Sequence, residues 1–254
     1  MTEHAVPISV QLYSLRETAQ HDFGGVLERL GRAGFVGVEL AGFNHLSPTE
    51  FGQVASGAGL VVSSAHVTTG PDFAKTVETM LSLGCATLVI PYLPPEHFVD
   101  LDAVRRSADL INEASAVAQA SGAAVGYHNH WWEVETMIDG RAAFWHLYDH
   151  LSDDVFVELD TYWTTVGGAD PVEVISAFGD RVRLLHVKDG PADVPESAMV
   201  AVGSGLMPVS NILAAASHAD WHVVELDRCD TDMFEAVEAS YDFLVGNGLS
   251  RGRR

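Results

Sequence analysis

Short apolar runs alternate with longer stretches of helical spacing along the whole chain. The runs "PISVQLYS", "GVELAGF", "LVVSSAHV", "ATLVIPY", "AAVGYHNH", "VFVELDTYW", "RVRLLHVKD" and "WHVVELDR" read as eight strands. Between them, segments such as "DFGGVLERLGRAG", "DFAKTVETMLSLG" and "LDAVRRSADLINEASAVAQASG" carry apolar residues three and four apart, the spacing of an amphipathic helix. Gly34, Gly59, Gly84 and Gly122 fall where helices should stop, and Ser47 followed by Pro48 is the pattern of a helix start. Eight strand-then-helix units in 254 residues predict an α/β fold, the (β/α)8 or TIM barrel, as a single domain over residues 1–254. A doubly wound open sheet has the same alternation. It would place a glycine-rich phosphate turn after the first strand, where this chain has "QLYSLRETAQ". There is no sequence repeat, low-complexity linker or domain boundary.

Composition narrows the function. The chain is 47% hydrophobic and 19% charged, enough apolar material for a large core. Its formal net charge is −21, from 35 acidic against 14 basic residues. Such a surface repels phosphate backbones, and no basic stripe offsets it, so a nucleic-acid partner is excluded. The basic tail (Arg251, Arg253, Arg254) reads as a frayed terminus. No apolar run approaches the ~20 residues that span a bilayer, and the start "MTEHAVPISVQ" lacks the layout of a signal peptide. Cys85 and Cys229 cannot make a disulfide framework or a zinc site; Cys85 in "LGCATLVIP" reads as a buried thiol. A reducing, cytoplasmic setting is the expectation. A homo-oligomer is left open.

In such a barrel the active site is built where strands end. Strand two ends at Glu39 and strand three at His66. Strand five ends at His128 and His130, strand six at Glu158 and Asp160, strand seven at His186 and Lys188, and strand eight at Glu225 and Asp227. Within each pair the spacing is two, so both side chains face the same way. Singly these residues are ordinary: a lone His66 is more often a hydrogen-bonded rim residue, and Glu158 reads as an interior acid satisfied by a lysine or arginine. Together they would place many buried acids and imidazoles in one cavity, which is costly unless they pair or bind metal. Mixed carboxylate and imidazole donors suit Mn2+, Zn2+, Co2+ or Fe2+, and an all-oxygen set would suit Mg2+ better. His4, His21, His45, His97, His146, His150, His218 and His222 lie in tails, loops, helices or at the opposite barrel face and receive no role.

The segments "ISVQLYSLRE", "GYHNHWWEVE", "LDTYWTTVGGADPVEVISAFGDRVRLLHVKDG" and "VVELDR" resemble, over essentially the whole chain, the xylose isomerase-like TIM-barrel superfamily, in its sugar phosphate isomerase/epimerase branch. The resemblance implies a divalent metal, often manganese, on ligands from strands five to eight: His128, Asp160, His186 and Glu225. In the epimerases the strand-five ligand is a glutamate, so His128 departs from the pattern and unsettles a mechanism with two glutamates. A loop that often reads Gly-Glu-Gly in this branch is "AVGSGLMPV" here, with Ser204 in place of the acid; Gly203 and Gly205 read as turn residues.

The expected chemistry is that of a metal-dependent isomerase or epimerase of a small sugar or keto-sugar, acting through an enediolate. Glu225, His130 and Lys188 are the catalytic candidates; His66, Trp132, Trp163, Glu39 and Arg228 are candidates for holding substrate. Trp131 and Tyr162 lie beside the ligands as further aromatics. Glu133 is expected near the pocket mouth. The same enediolate could expel a β-leaving group, which makes a lyase or dehydratase of a keto-sugar or inosose-like polyol the alternative. A non-catalytic sugar-binding or partner barrel is the reading of another class. Arg16 and Arg228 are the few cations near the rim, so a neutral sugar is preferred to a phosphorylated one.

Overall fold

The computed structural model describes residues 5–253; His4 and Arg254 lie outside the described residues. Eight parallel strands close into a barrel: β1 (Ile8–Gln11), β2 (Gly37–Leu40), β3 (Val61–His66), β4 (Thr87–Ile90), β5 (Ala124–His128), β6 (Phe156–Asp160), β7 (Val182–Val187) and β8 (Trp221–Val224). Neighbours in sequence are neighbours in the barrel, and β8 pairs with β1 through Ile8 opposite His222 and Val10 opposite Val224. The outer ring is α1 (Arg16–Ala33), α2 (Pro48–Gly57), α3 (Phe73–Ser82), α4 (Leu101–Ala120), α5 (Ala143–His150), α6 (Pro171–Phe178), α7 (Val209–Ala215) and α8 (Met233–Gly246). This is the (β/α)8 barrel expected from the alternation.

The local signals act as read. Ser47 caps α2 in a reciprocal arrangement with Glu50, and Pro48 takes the first helical position. All four helix-ending glycines have positive φ, from 74° at Gly59 to 103° at Gly34, a conformation that excludes most side chains. Strand six is shorter than its apolar run, because Asp160 turns the chain by accepting the Trp163 amide at 2.8 Å and starts a helix at Thr161–Val166. As far as Arg253 the tail is not frayed. Arg251 exchanges backbone hydrogen bonds with Val6 and Ile8, and the Arg253 guanidinium reaches the carbonyls of Ala58 and Gly31. These carbonyls near helix ends give Arg253 a use that charge counting alone could not show.

The barrel interior is divided along its axis. Val89, Phe156 and Leu184, with Ala124 and Trp221 against them, form an apolar plug in the N-terminal half. One pleat higher on the same strands stand Gly126, Glu158, His186 and Val223, and above them His128, Asp160, Lys188 and Glu225. Gly126 is what lets the large plug residues close: a Cβ there would fall on the Phe156 ring. Gly126→Ala is therefore expected to destabilise the barrel by about 1–3 kcal/mol through overpacking, read from denaturant midpoints at unchanged slope. Adding Phe156→Leu should recover part of the loss; full additivity of the two changes would show that they do not share the space.

Candidate metal and sugar site

Strand register assembles the cluster. His128 lies opposite Glu158 across β5 and β6, Asp160 opposite His186 across β6 and β7, and Gln11 opposite Glu39 across β1 and β2. The His128 and His186 rings are 4.5 Å apart, and His66 stacks on His186 at 5.4 Å with the planes 8° apart. Glu39, Glu158 and Asp160 have no exposed surface, and Glu225 is 4% exposed.

The acids and imidazoles form two tiers. In the lower tier His186 Nε2 is 2.6 Å from Glu39 Oε1, and His128 Nδ1 is 3.1 Å from Glu158 Oε2. His66 Nε2 is 2.8 Å from Glu158 and 3.1 Å from Glu39. Gln11 Nε2 and Ser64 Oγ donate to the two Glu39 oxygens at 2.7 and 2.5 Å. These carboxylates accept, so the ring nitrogens facing them carry hydrogen. That leaves His128 Nε2, 3.6 Å from Asp160 Oδ2, and His186 Nδ1, 2.8 Å from Glu225 Oε2, facing the upper tier.

One donor each from His128, Asp160, His186 and Glu225 lie within 4.8 Å of one another. The set fits a divalent cation of mixed nitrogen and oxygen preference. Asp160 Oδ2 is buried and ion-paired with the Lys188 ammonium at 2.8 Å, with His128 Nε2 3.6 Å away on its other side. His66, Glu158, His128 and His186 also meet the distance condition. Their nitrogens face carboxylates as donors, so we assign that group to support. A carboxylate behind a ligating imidazole fixes its orientation and raises its basicity.

Electrostatics follow from burial. Burial pushes His66 down, but Glu39 and Glu158 overcome it and raise the ring to about 10. The same contest raises His186 well above the ordinary histidine value through Glu158, Glu39 and Glu225. His128 goes the other way: burial, then the neighbouring His186 and His130, hold it well below the usual range and therefore neutral. Burial lifts Asp160 to about 6 against the pull of Lys188. Glu225 resists burial because Lys188 and His186 hold it ionised, far below the ordinary range.

A pocket of about 430 Å3 opens above the upper tier. His66, His128, His130, Glu225 and Asp227 reach it, as do Tyr13 and Tyr92 on the loops after β1 and β4. The other candidates lie elsewhere. Lys188 is 1% exposed and does not line the pocket; its ammonium lies 2.8 Å from Asp160, 2.7 Å from Glu225 and 2.5 Å from Asp227. Glu39 sits in the lower tier. Trp163 lies 5.2 Å from the Lys188 ammonium, a cation on an aromatic face, with its ring buried. Trp132 backs the pocket wall: its ring stacks on His130 at 4.3 Å, and its indole N–H donates to the Leu93 carbonyl. Arg228 lines a neighbouring hollow with Arg16 and Asp232. Glu158 is the interior acid expected, with imidazoles as partners in place of a lysine or arginine.

Glu133 is not at the mouth. It is fully buried, accepting the Tyr127 hydroxyl at 2.7 Å and the His130 amide at 3.0 Å, and burial raises it to about 8. Sequence reasoning left out Gln11, Ser64, Tyr13 and Tyr92. Gln11 and Ser64 were visible as polar residues inside apolar strand runs, whereas nothing in the spacing marks the loop tyrosines.

Similarity to known proteins agrees with this fold. The profile of the xylose isomerase-like TIM barrel family matches residues 27–244, and the chain belongs to that family. A solved sugar phosphate isomerase/epimerase from Parabacteroides distasonis superposes with a TM-score of 0.84 at 26% identity, covering 97% of this chain and 100% of that one. A 2-epi-5-epi-valiolone 7-phosphate 2-epimerase from Actinoplanes sp. is 27% identical over 198 residues, 73% of this chain and 68% of the relative. The zinc-bound IOLI protein shares the fold, with a TM-score of 0.72 at 15% identity, over 95% of this chain and 97% of that one.

Two outcomes follow. Among single variants assayed for bound Mn2+ or Zn2+, His128→Ala is expected to lose the ion and His130→Ala to keep it; equal retention would misplace the strand-five ligand. Glu133 has a pH signature. Its folded value near 8 lies above the ordinary value of 4.5, so its stabilising contribution is complete below that lower value and is lost as pH rises through about 8. Glu133→Gln keeps the shape and an acceptor oxygen but cannot titrate, and it should flatten that part of the stability profile. An unchanged profile would show that Glu133 titrates normally.

Proposed function

We propose that this chain is a divalent-metal-dependent isomerase or epimerase of a small sugar or keto-sugar, working through an enediolate. The carrying observation is the convergence of His128, Asp160, His186 and Glu225 beneath a sugar-sized pocket. The named activities of the Parabacteroides and Actinoplanes relatives support it. Manganese is favoured from the family resemblance, and the mixed donor set also suits Zn2+, Co2+ or Fe2+. Among the described residues no helix is long and apolar enough to cross a membrane, and we keep the cytoplasm as the proposed setting.

When bound, the cation would polarise a carbonyl and an adjacent hydroxyl and so acidify the carbon beside them. The protein supplies the proton traffic. Glu225 is held ionised by Lys188 and His186 and reaches the pocket, which suits it to take the proton from that carbon. Lys188 acts through Glu225 and Asp160: three carboxylates engage its ammonium, and we assign it positioning, in place of a contact with the enediolate oxygen. His130 is held neutral, lowered to about 3 by burial and by Lys188, with its Nδ1 buried and unpartnered. It suits a hydrogen bond to a substrate hydroxyl.

One observation favours a second ending. The pocket carboxylates, Glu225 and Asp227, both come from the end of β8, whereas His66, His128 and His130 present imidazoles from the other wall. An imidazole there can return the proton to the opposite face, or protonate a departing hydroxyl, which would make the reaction a dehydration or lyase cleavage. In deuterated water with Mn2+, a panel of ketoses and keto-sugars should acquire solvent deuterium beside the carbonyl. Glu225→Gln should slow that exchange by about a hundredfold or more. Absence of exchange with every sugar would overturn the proposal, and loss of water from an exchanging substrate would select the second ending.

A further inference from the structure

Tyr13 and Tyr92 are 46% and 52% exposed, and among the described residues they are the only aromatic rings among the exposed large apolar side chains. Both line the same pocket. Each ring is braced on one side. The Arg16 guanidinium lies 4.2 Å from the Tyr13 centroid and is fixed by the carbonyls of Tyr13 and Asp227, each at 2.9 Å. Tyr92 meets His130 at 5.5 Å and Trp132 at 5.4 Å, edge to face. Two braced aromatic rings left open at a pocket mouth mark a place for a flat apolar group.

The same pocket is poor in places for a phosphate. No lysine or arginine lines it among the described residues, and two of its polar groups are the carboxylates of Glu225 and Asp227. Barrels of this class often hold phosphate on backbone amides after strands seven and eight. Here the Asp189 carboxylate already accepts the amides of Gly190, Gly203, Gly205 and Met207, at 2.8 to 3.1 Å. Gly205 is there because a Cβ would strike that carboxylate. The loop that departs from the family's Gly-Glu-Gly pattern is thus closed around the chain's own anion. In the adjoining hollow, Arg16 and Arg228 stand with Glu17 and Asp232.

We propose that the pocket takes an uncharged keto-glycoside: a sugar ring over the histidines, carrying the ring carbonyl that an enediolate requires, joined to a planar, aromatic aglycone held between Tyr13 and Tyr92. Glycosides without that carbonyl serve as its unreactive binding analogues. This names a substrate class for the proposed function and rests on that reading. The test is calorimetric binding to the full chain of matched methyl and phenyl glycosides of glucose, galactose and xylose, beside the hexose phosphates. For at least one sugar the phenyl glycoside should bind roughly tenfold tighter than the methyl glycoside, and hexose phosphate should bind more weakly than either. Tyr13→Ala and Tyr92→Ala, both at exposed positions, should each weaken phenyl glycoside binding more than methyl glycoside binding and so reduce the phenyl advantage. A hexose phosphate that binds tightest, a phenyl advantage absent for every sugar, or one that survives in both tyrosine variants would overturn the proposal. Binding needs no turnover, so failure here is distinct from failure of isotope exchange.

Discussion

Glu39, Glu158, Asp160 and Glu225 share one barrel mouth with almost no access to water. Several kcal/mol per ion oppose burying such groups alone, and repulsion between two unit charges 4 Å apart adds about 4 kcal/mol at a protein-like dielectric. The mouth is tolerable because cations are interleaved with the acids. His66 stands between Glu39 and Glu158, His186 hydrogen-bonds Glu39 and Glu225, and Lys188 stands among Asp160, Glu225 and Asp227. Removing one member would strand the rest, so this half of the barrel is specified as a set. The apolar plug beneath it, with Phe156 closing over Gly126, supplies the packing that such a polar half cannot.

Interleaving also sorts the residues by depth. The lower acids, Glu39 and Glu158, are consumed in holding imidazoles, so their chemistry is orientation. The upper donors converge instead on the floor of the pocket, where one atom each from His128, Asp160, His186 and Glu225 lies within 4.8 Å of the others. Two residues along a strand separate Glu158 from Asp160, and that single pleat divides support from the proposed metal site. His128 and His186 belong to both tiers because each ring offers one nitrogen downward and one upward. A carboxylate in place of His128 would lack that bridge through an aromatic ring, so the histidine is matched to Glu158 below it.

Much of this was legible in sequence because it depends on periodicity. Alternation gave the strands, and two-residue spacing put His128 with His130 and His186 with Lys188 on interior-facing positions. What spacing cannot express is the difference between reaching a cavity and pointing into it. Lys188 and Glu225 occupy equivalent strand ends, yet three carboxylates keep the lysine from the pocket. Glu133 follows the ligand strand in a polar, aromatic stretch that reads as a mouth, but a one-turn helix at Trp132–Glu135 turns it inward to Tyr127. The tail's docking depends on carbonyls at distant helix ends, contacts across nearly the full chain length that no local pattern announces.

The barrel divides its labour around the ring. The proposed metal ligands come from β5 to β8, held by strand register and by the charge pairing among them. Tyr13, Ala41, Thr68 and Tyr92, on the loops after β1 to β4, form the facing wall of the pocket. Strand positions in the first half, Gln11, Glu39, Ser64 and His66, serve the acids and imidazoles of the cluster, whereas the loop residues beyond them hold no part of it. Substituting a loop residue therefore changes what the pocket admits without disturbing a buried charge. Substituting a strand-end residue in β5 to β8 unbalances the whole cluster. Both behaviours follow from the same constraint, since buried charge fixes one side of the mouth and leaves the other side without it.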